Sequence, residues 1–181
     1  MIAEPPRFPV APTLYTERLV LRAYRYADFE QLAQLYSTDR SRYIGGPLGR
    51  EQVWLGFMNT VGHWPIMGFG GWAVDLAETG ECIGEVAVSK PAHFPEIELG
   101  WLLFEGYEGH GYAFEAAKEA QEFAFDELGL ETLVSYIDPD NAPSRRLAEK
   151  LGGVYDASAP TPNGDPTHVF RYAKSEAASA K

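Results

Sequence analysis

At 181 residues, with 45% apolar and 23% charged residues, the chain is sized for one domain with its own hydrophobic core. A formal net charge of −11 argues against nonspecific nucleic-acid binding, which needs a basic face, and disfavours long-range capture of an anion. There is no apolar run near the ~18 residues of a spanning helix, no secretion-signal pattern in "MIAEPPRFPVAP", and one cysteine, Cys82, too few for an internal disulfide, so a cytoplasmic protein off the membrane is expected.

In chain order, the proline-rich residues 1–12 read as an extended arm, 13–173 as a single domain, and the small polar residues 174–181 as a flexible tail. "TERLVLRAY" alternates as a strand, and Asp28 is placed to N-cap the helix "FEQLAQLY". Glu51 to His63 follows as a helix with Val53, Trp54, Phe57, Met58 and Val61 as its apolar stripe. "GWAVDLAETGECIGEVAVSK" reads as two strands about a turn at Thr79-Gly80, with Cys82 a packed thiol in the second. "EIELGWLLF" is a further strand, with Glu96 and Glu98 on one face and Leu99 and Trp101 on the other. A helix with a face of small residues then runs from Ala113 towards Gly129, followed by the strand "ETLVSYI", the helix "RRLAEKLGG" and two strands bracketing "PTPNGDP". Strands and helices interleave without a linker, which predicts one mixed sheet carrying helices. The four histidines are scattered singly, so no metal site is expected.

Three glycines lie in "GYEGHGYA", where a strand becomes a helix. Glycine permits positive φ and lets a ligand approach the backbone, and the first helical turn offers unpartnered N–H groups at the positive end of its dipole. Together these make an anion cradle, although a tight turn with no ligand reads equally well. A P-loop is excluded because Gly111-Tyr112-Ala113 stands where Gly-Lys-Ser/Thr is needed. A Rossmann-type nucleotide fingerprint survives weakly, since Asp138 closes a strand downstream but Phe114 falls near the third glycine position.

The "YEGHGYAFEA" segment resembles the acetyl-CoA pyrophosphate loop of the GNAT superfamily of N-acetyltransferases, with Glu108, Gly111 and Ala113 on its Gln/Arg-x-x-Gly-x-Gly/Ala positions. The similarity continues in order through "TERLVLR", "GWAVDLAETGECIGEVAV", "IELGWLL" and "NAPSRRLAEKLGG", as in the branch of ribosomal-protein N-terminal acetyltransferases. The resemblance implies an α+β fold whose mixed, mostly antiparallel sheet is splayed around the cofactor, with helices on both faces. It implies acetyl-CoA as cosubstrate. The backbone of Trp101 and Leu103 would hold the pantetheine arm, Glu108, Gly109, His110, Gly111, Tyr112 and Ala113 the pyrophosphate, and Asn141 the pantetheine amide.

The resemblance further implies Glu98 as the base and Ser144, near the sulfur, as the acid, with Glu96 in reserve. By local chemistry alone Asn141 is an N-cap and Ser144 a first-turn residue. Three positions depart from the family: Glu108 stands where Gln or Arg is usual and puts a carboxylate near a pyrophosphate unless it faces solvent, Ala148 where many members have a catalytic Tyr, and Gly153 where Phe is common, so that end is expected to be looser. The expected function is N-acetylation of a primary amine, on a small molecule or a protein N-terminus, with a non-catalytic acyl-CoA-binding module as the alternative. A homodimer is left open. Trp64, Phe69 and Trp72 are expected at an apolar acceptor entrance, and the acidic total suits a cationic acceptor.

Overall fold

The computed structural model describes residues 7–164 and 166–174. The first six residues of the predicted arm, residue 165 of the "PTPNGDP" loop and tail residues 175–181 lie outside the described residues. The strands are β1 (Leu14–Tyr15), β2 (Leu19–Arg22), β3 (Gly71–Leu76), β4 (Cys82–Ser89), β5 (Glu98–Leu103), β6 (Thr132–Ile137), β7 (Val154–Tyr155) and β8 (His168–Ala173). The helices are α1 (Asp28–Tyr36), α2 (Arg50–Met67), α3 (Tyr112–Asp126) and α4 (Ala142–Lys150), with a 3-10 segment at Asp39–Ile44. One sheet runs β1-β2-β3-β4-β5-β6-β8-β7, antiparallel at every pairing except β5 with β6. This is the expected mixed, mostly antiparallel sheet, and it removes the Rossmann alternative, which needs a parallel one.

Both faces are covered. Ala116, Ala117, Ala120 and Ala124 let α3 lie close on Leu19, Leu21, Val74, Val86 and Leu99, all at most 2% exposed. On the other face, Phe29, Leu32 and Leu35 of α1 pack with Val53 and Phe57 of α2 over Leu102. No helix among the described residues is long and apolar enough to cross a membrane.

Several local expectations are corrected. Asp28 is the first residue of α1 and caps nothing downstream; its buried carboxylate accepts from the Arg25 N–H at 2.6 Å and from Arg22, which also pairs with Asp75. The second helix runs on through Pro65 to Met67, because a proline in the last turns forfeits one hydrogen bond where Gly68 already ends the helix. Its stripe differs too: Met58 is 47% exposed, whereas Trp64 is buried. Trp64 and Trp72 are core residues and form no entrance. They meet edge to face with ring centroids 4.8 Å apart, and their indole N–H groups donate to the Gly71 and Pro12 carbonyls.

The β5–β6 pairing is a single register contact, Glu98 with Val134. Val134 donates to the Ile97 carbonyl, but the next acceptor, Leu99 O, is taken at 2.5 Å by the Ser135 hydroxyl, which also meets the Tyr172 hydroxyl at 3.0 Å. A side chain thus occupies the position a backbone N–H would need to carry the ladder on. Beyond it the strands diverge. Since Ile97 and Leu99 aim their carbonyls at β6, the strand period of two aims the N–H and C=O of Trp101 and Leu103 into the opening.

Candidate active site

At the divergent ends of β5 and β6 lie the N-termini of α3 and α4. The loop into α3 turns on Gly106, Gly109 and Gly111, all at positive φ; Gly111, the N-cap, has φ +83°. Glu115 N–H is the first to bond within the helix, to Gly111 O, and no side chain caps this end. The N–H groups of Tyr112, Ala113 and Phe114 are therefore free to meet an anion. From behind, Arg18 holds the turn: it donates to Glu115 and to the His110 carbonyl and lies over the Tyr112 ring.

A groove of about 620 Å³ runs from this cradle along β5 to α4. Leu103, Glu108, Gly109, Gly111, Tyr112 and Ala113 border it, whereas His110 does not and instead packs its ring on Tyr112. Arg40, Arg42, Arg146 and Lys150 also line it. These cations, unassigned by the sequence reading, give a local positive field inside an acidic protein. Three free N–H groups, a backbone without Cβ and a cationic rim fit the phosphates of acetyl-CoA.

Glu108 does not oppose that charge. Its carboxylate pairs with Arg40 and accepts the Gly106 N–H at 3.0 Å, which holds its pKa below the usual carboxylate range against a partial desolvation. Glu108→Gln keeps the loop contact and frees Arg40, so coenzyme A affinity should rise by no more than about 1 kcal/mol, the scale of an exposed ion pair. Calorimetry on the variant checks this; a far larger gain would mean that the carboxylate faces the phosphates.

Across the opening, the Asn141 side-chain Oδ1 accepts the Ser144 N–H at 3.2 Å, capping α4 as local chemistry predicts. Ser144 sits on the first turn at the edge of the opening, with no protein hydrogen-bond partner for its hydroxyl among the described residues. Ala148, where many family members carry Tyr, is fully buried. Gly153 is not a loose end: a Cβ there would lie 2.8 Å from both the Ala148 carbonyl and the Tyr172 ring, which fills the space.

A second cavity, of about 430 Å³, opens on the α1–α2 face of the sheet. Trp101, Asn141 and Ser144 border both spaces, so the two meet at the opening. Glu98 lies in this second cavity, its carboxylate leaning back over Gly100 at 3.5 Å from where a Cβ would stand. Desolvation pushes its pKa up to about 7 despite the Tyr136 backbone N–H, which lowers it. Glu96 is not equivalent. Arg171 grips it with two bonds of 2.6 and 2.9 Å and holds its pKa down, which removes it as a base. His63 and His93 border the same cavity, as does Glu85 of β4, which the sequence reading passed over. Burial raises the Cys82 thiol to about 12, consistent with a packed, unreactive residue.

Two spaces meeting where a sheet divides suit group transfer between two bound molecules. The chain belongs to the acetyltransferase (GNAT) domain family, whose model matches residues 18–154. It is similar to the acetyltransferase from Agrobacterium tumefaciens str. C58, at 45% identity and a TM-score of 0.87, covering 91% of this chain and 95% of that one. The uncharacterized N-acetyltransferase YnaD of Bacillus subtilis (strain 168) is 26% identical over 144 residues, 76% of this chain and 79% of its own. A putative ribosomal-protein-serine acetyltransferase from Vibrio cholerae is 25% identical with a TM-score of 0.72, covering 90% of this chain and 98% of that one. The protein is accordingly an acetyltransferase of the amine-acetylating kind, and its family uses acetyl-CoA.

Proposed function

We propose that residues 13–173 form one cytoplasmic N-acetyltransferase domain that binds acetyl-CoA in the cationic groove and a primary amine in the carboxylate-bearing cavity. When bound, acetyl-CoA supplies an acetyl group activated as a thioester. The N–H groups of Tyr112, Ala113 and Phe114 take the pyrophosphate, with Arg40, Arg42, Arg146 and Lys150 around it. The backbone of Trp101 and Leu103 holds the amide-bearing arm, and the Trp101 N–H holds negative charge on oxygen in the opening. The side-chain amide nitrogen of Asn141 is left to reach the arm, because its oxygen is spent on the cap.

Glu98 is the observation that carries this reading. A carboxyl inside the cavity that meets the groove at Trp101, Asn141 and Ser144, with its pKa raised to about 7, accepts a proton from an ammonium near neutrality and so delivers the free amine. Ser144, with its hydroxyl uncommitted, donates a proton on the far side of the opening.

The test is release of free thiol from acetyl-CoA with a panel of primary amines and N-terminal peptides. Turnover with at least one amine is expected, and Ser144→Ala should lower it roughly 10²-fold at unchanged acetyl-CoA affinity. Thiol release without an acetylated product, or full activity of Ser144→Ala, would overturn the assignment or the role of Ser144 respectively.

A further inference from the structure

The cross-strand register places Glu85, Ala87 and Ser89 of β4 opposite Leu102, Gly100 and Glu98 of β5, all on one face. The floor of the acceptor cavity is therefore a shallow trench of Ala87 and Gly100 with a carboxylate near each end. At about 3.4 Å per residue the two backbone positions lie roughly 14 Å apart along the strands. The carboxylates come closer than that, since Glu98 leans back over Gly100. Tyr36, whose phenol lies in the field of both, walls the trench with Tyr43, Phe94 and Tyr136.

Several other shielded acids in this protein, the two most buried among them, are met by arginine. Asp28 and Asp75 share Arg22, Glu96 and Asp156 share Arg171, and Glu115 has Arg18. Glu85 and Glu98 have none. Among the described residues no Lys or Arg borders their cavity; its basic side chains are His63, whose Nδ1 is turned to the Asn59 carbonyl, and His93, neither of them paired with a carboxylate. Glu85 accepts the Tyr24 hydroxyl at 2.7 Å on one oxygen and leaves the other without a protein donor among the described residues. A desolvated carboxylate without a counter-charge is costly, and two in one cavity more so. The missing charge is expected from the ligand.

We propose that the acceptor is a small aliphatic diamine, one nitrogen presented by Glu98 for acetylation and the other held as an ammonium by Glu85. The inference rests on the acetyltransfer reading above and deepens it. It makes Glu85 the residue that selects the acceptor. The aromatic walls suit the connecting methylenes and present π-faces to a cation, and a cavity of about 430 Å³ is of small-molecule size.

Calorimetric titration of putrescine and of butylamine into the protein saturated with coenzyme A tests this without requiring turnover. Wild type should bind putrescine at least about tenfold more tightly than butylamine, and in Glu85→Gln, which retains an acceptor for Tyr24, the ratio should fall to within about twofold. A ratio that survives Glu85→Gln, equal binding of the two amines by wild type, binding of neither, or preference for an N-terminal dipeptide would each overturn the proposal. If Glu85→Gln fails to fold, Glu85→Asp takes its place. Withdrawing the carboxylate by one methylene should shift preference from putrescine towards cadaverine, and an unshifted preference counts against us. Selective binding without any acetyl transfer would leave the diamine site standing and sink the assigned reaction instead.

Discussion

Glu98→Gln is expected to lower turnover by roughly 10²-fold or more, the usual scale for losing a positioned base, while acetyl-CoA affinity stays at the wild-type value. The cradle and the β5 backbone are untouched by the change, so binding and chemistry separate. Raising the pH should partly restore the rate, because free amine then becomes abundant without help from the protein. The same substitution should stabilise the fold, in a pH-dependent way. An ordinary carboxyl titrates near 4.5, whereas Glu98 in the folded protein titrates at about 7. Between those values the folded state holds a proton that the unfolded chain has released, so wild type loses stability as pH rises through that window. Glutamine has no proton to lose. Thermal unfolding should therefore find Glu98→Gln more stable than wild type at about pH 8 and the difference largely gone by about pH 4.5. Wild-type turnover in Glu98→Gln at neutral pH would remove Glu98 from the mechanism, and an unchanged pH dependence of stability would show that the carboxyl is well solvated.

The second large effect is at Gly111. Its φ of +83° is left-handed, and a Cβ there would stand 3.5 Å from the Arg18 guanidinium, an ordinary contact. Space is therefore not the constraint; backbone conformation is. Asn tolerates this region, but a β-branched residue does not, at a cost of about 1–2 kcal/mol or more. Gly111→Asn should keep coenzyme A affinity within about threefold. Gly111→Val should lose at least about tenfold, because the turn relaxes and the three N–H groups of α3 no longer converge. Calorimetry with coenzyme A on both variants decides it. Equal affinities would mean that the side chains of the rim, and not the helix terminus, hold the phosphates.

What could be read from the sequence was what is local. Strand alternation, the glycine turn before α3, the Asn141 cap and the small-residue face of α3 all depend on neighbours within a few positions, and each formed as expected. Distant partners decided the rest. Glu96, on the same face as Glu98, stood in reserve until Arg171, 75 residues on, closed over it. Glu85 carried no signal, because its place on the same face as Glu98, towards the other end of the trench, follows only from the register of β4 on β5. Trp64 and Trp72, expected at an entrance, are instead buried in the core, and each finds a backbone carbonyl for its N–H. Glu108 looked hostile to phosphate only while Arg40 was out of view.

The Ser135 hydroxyl at Leu99 has one more consequence. A sheet divided in its interior acquires two additional edges, and edges with unpaired N–H and C=O groups invite pairing by other chains, the route to aggregation. Proteins usually blunt such edges with charge, proline or a short strand. Here β5 and β6 pair at one register position and then part, with α3 and α4 following their C-terminal ends, so one straight strand from another molecule does not match both edges. A thin, flexible molecule with amides of its own can enter where a polypeptide strand cannot. By stopping the ladder after one rung, Ser135 leaves unpaired backbone groups at the centre of the sheet, where the proposed acetyl-CoA arm would lie.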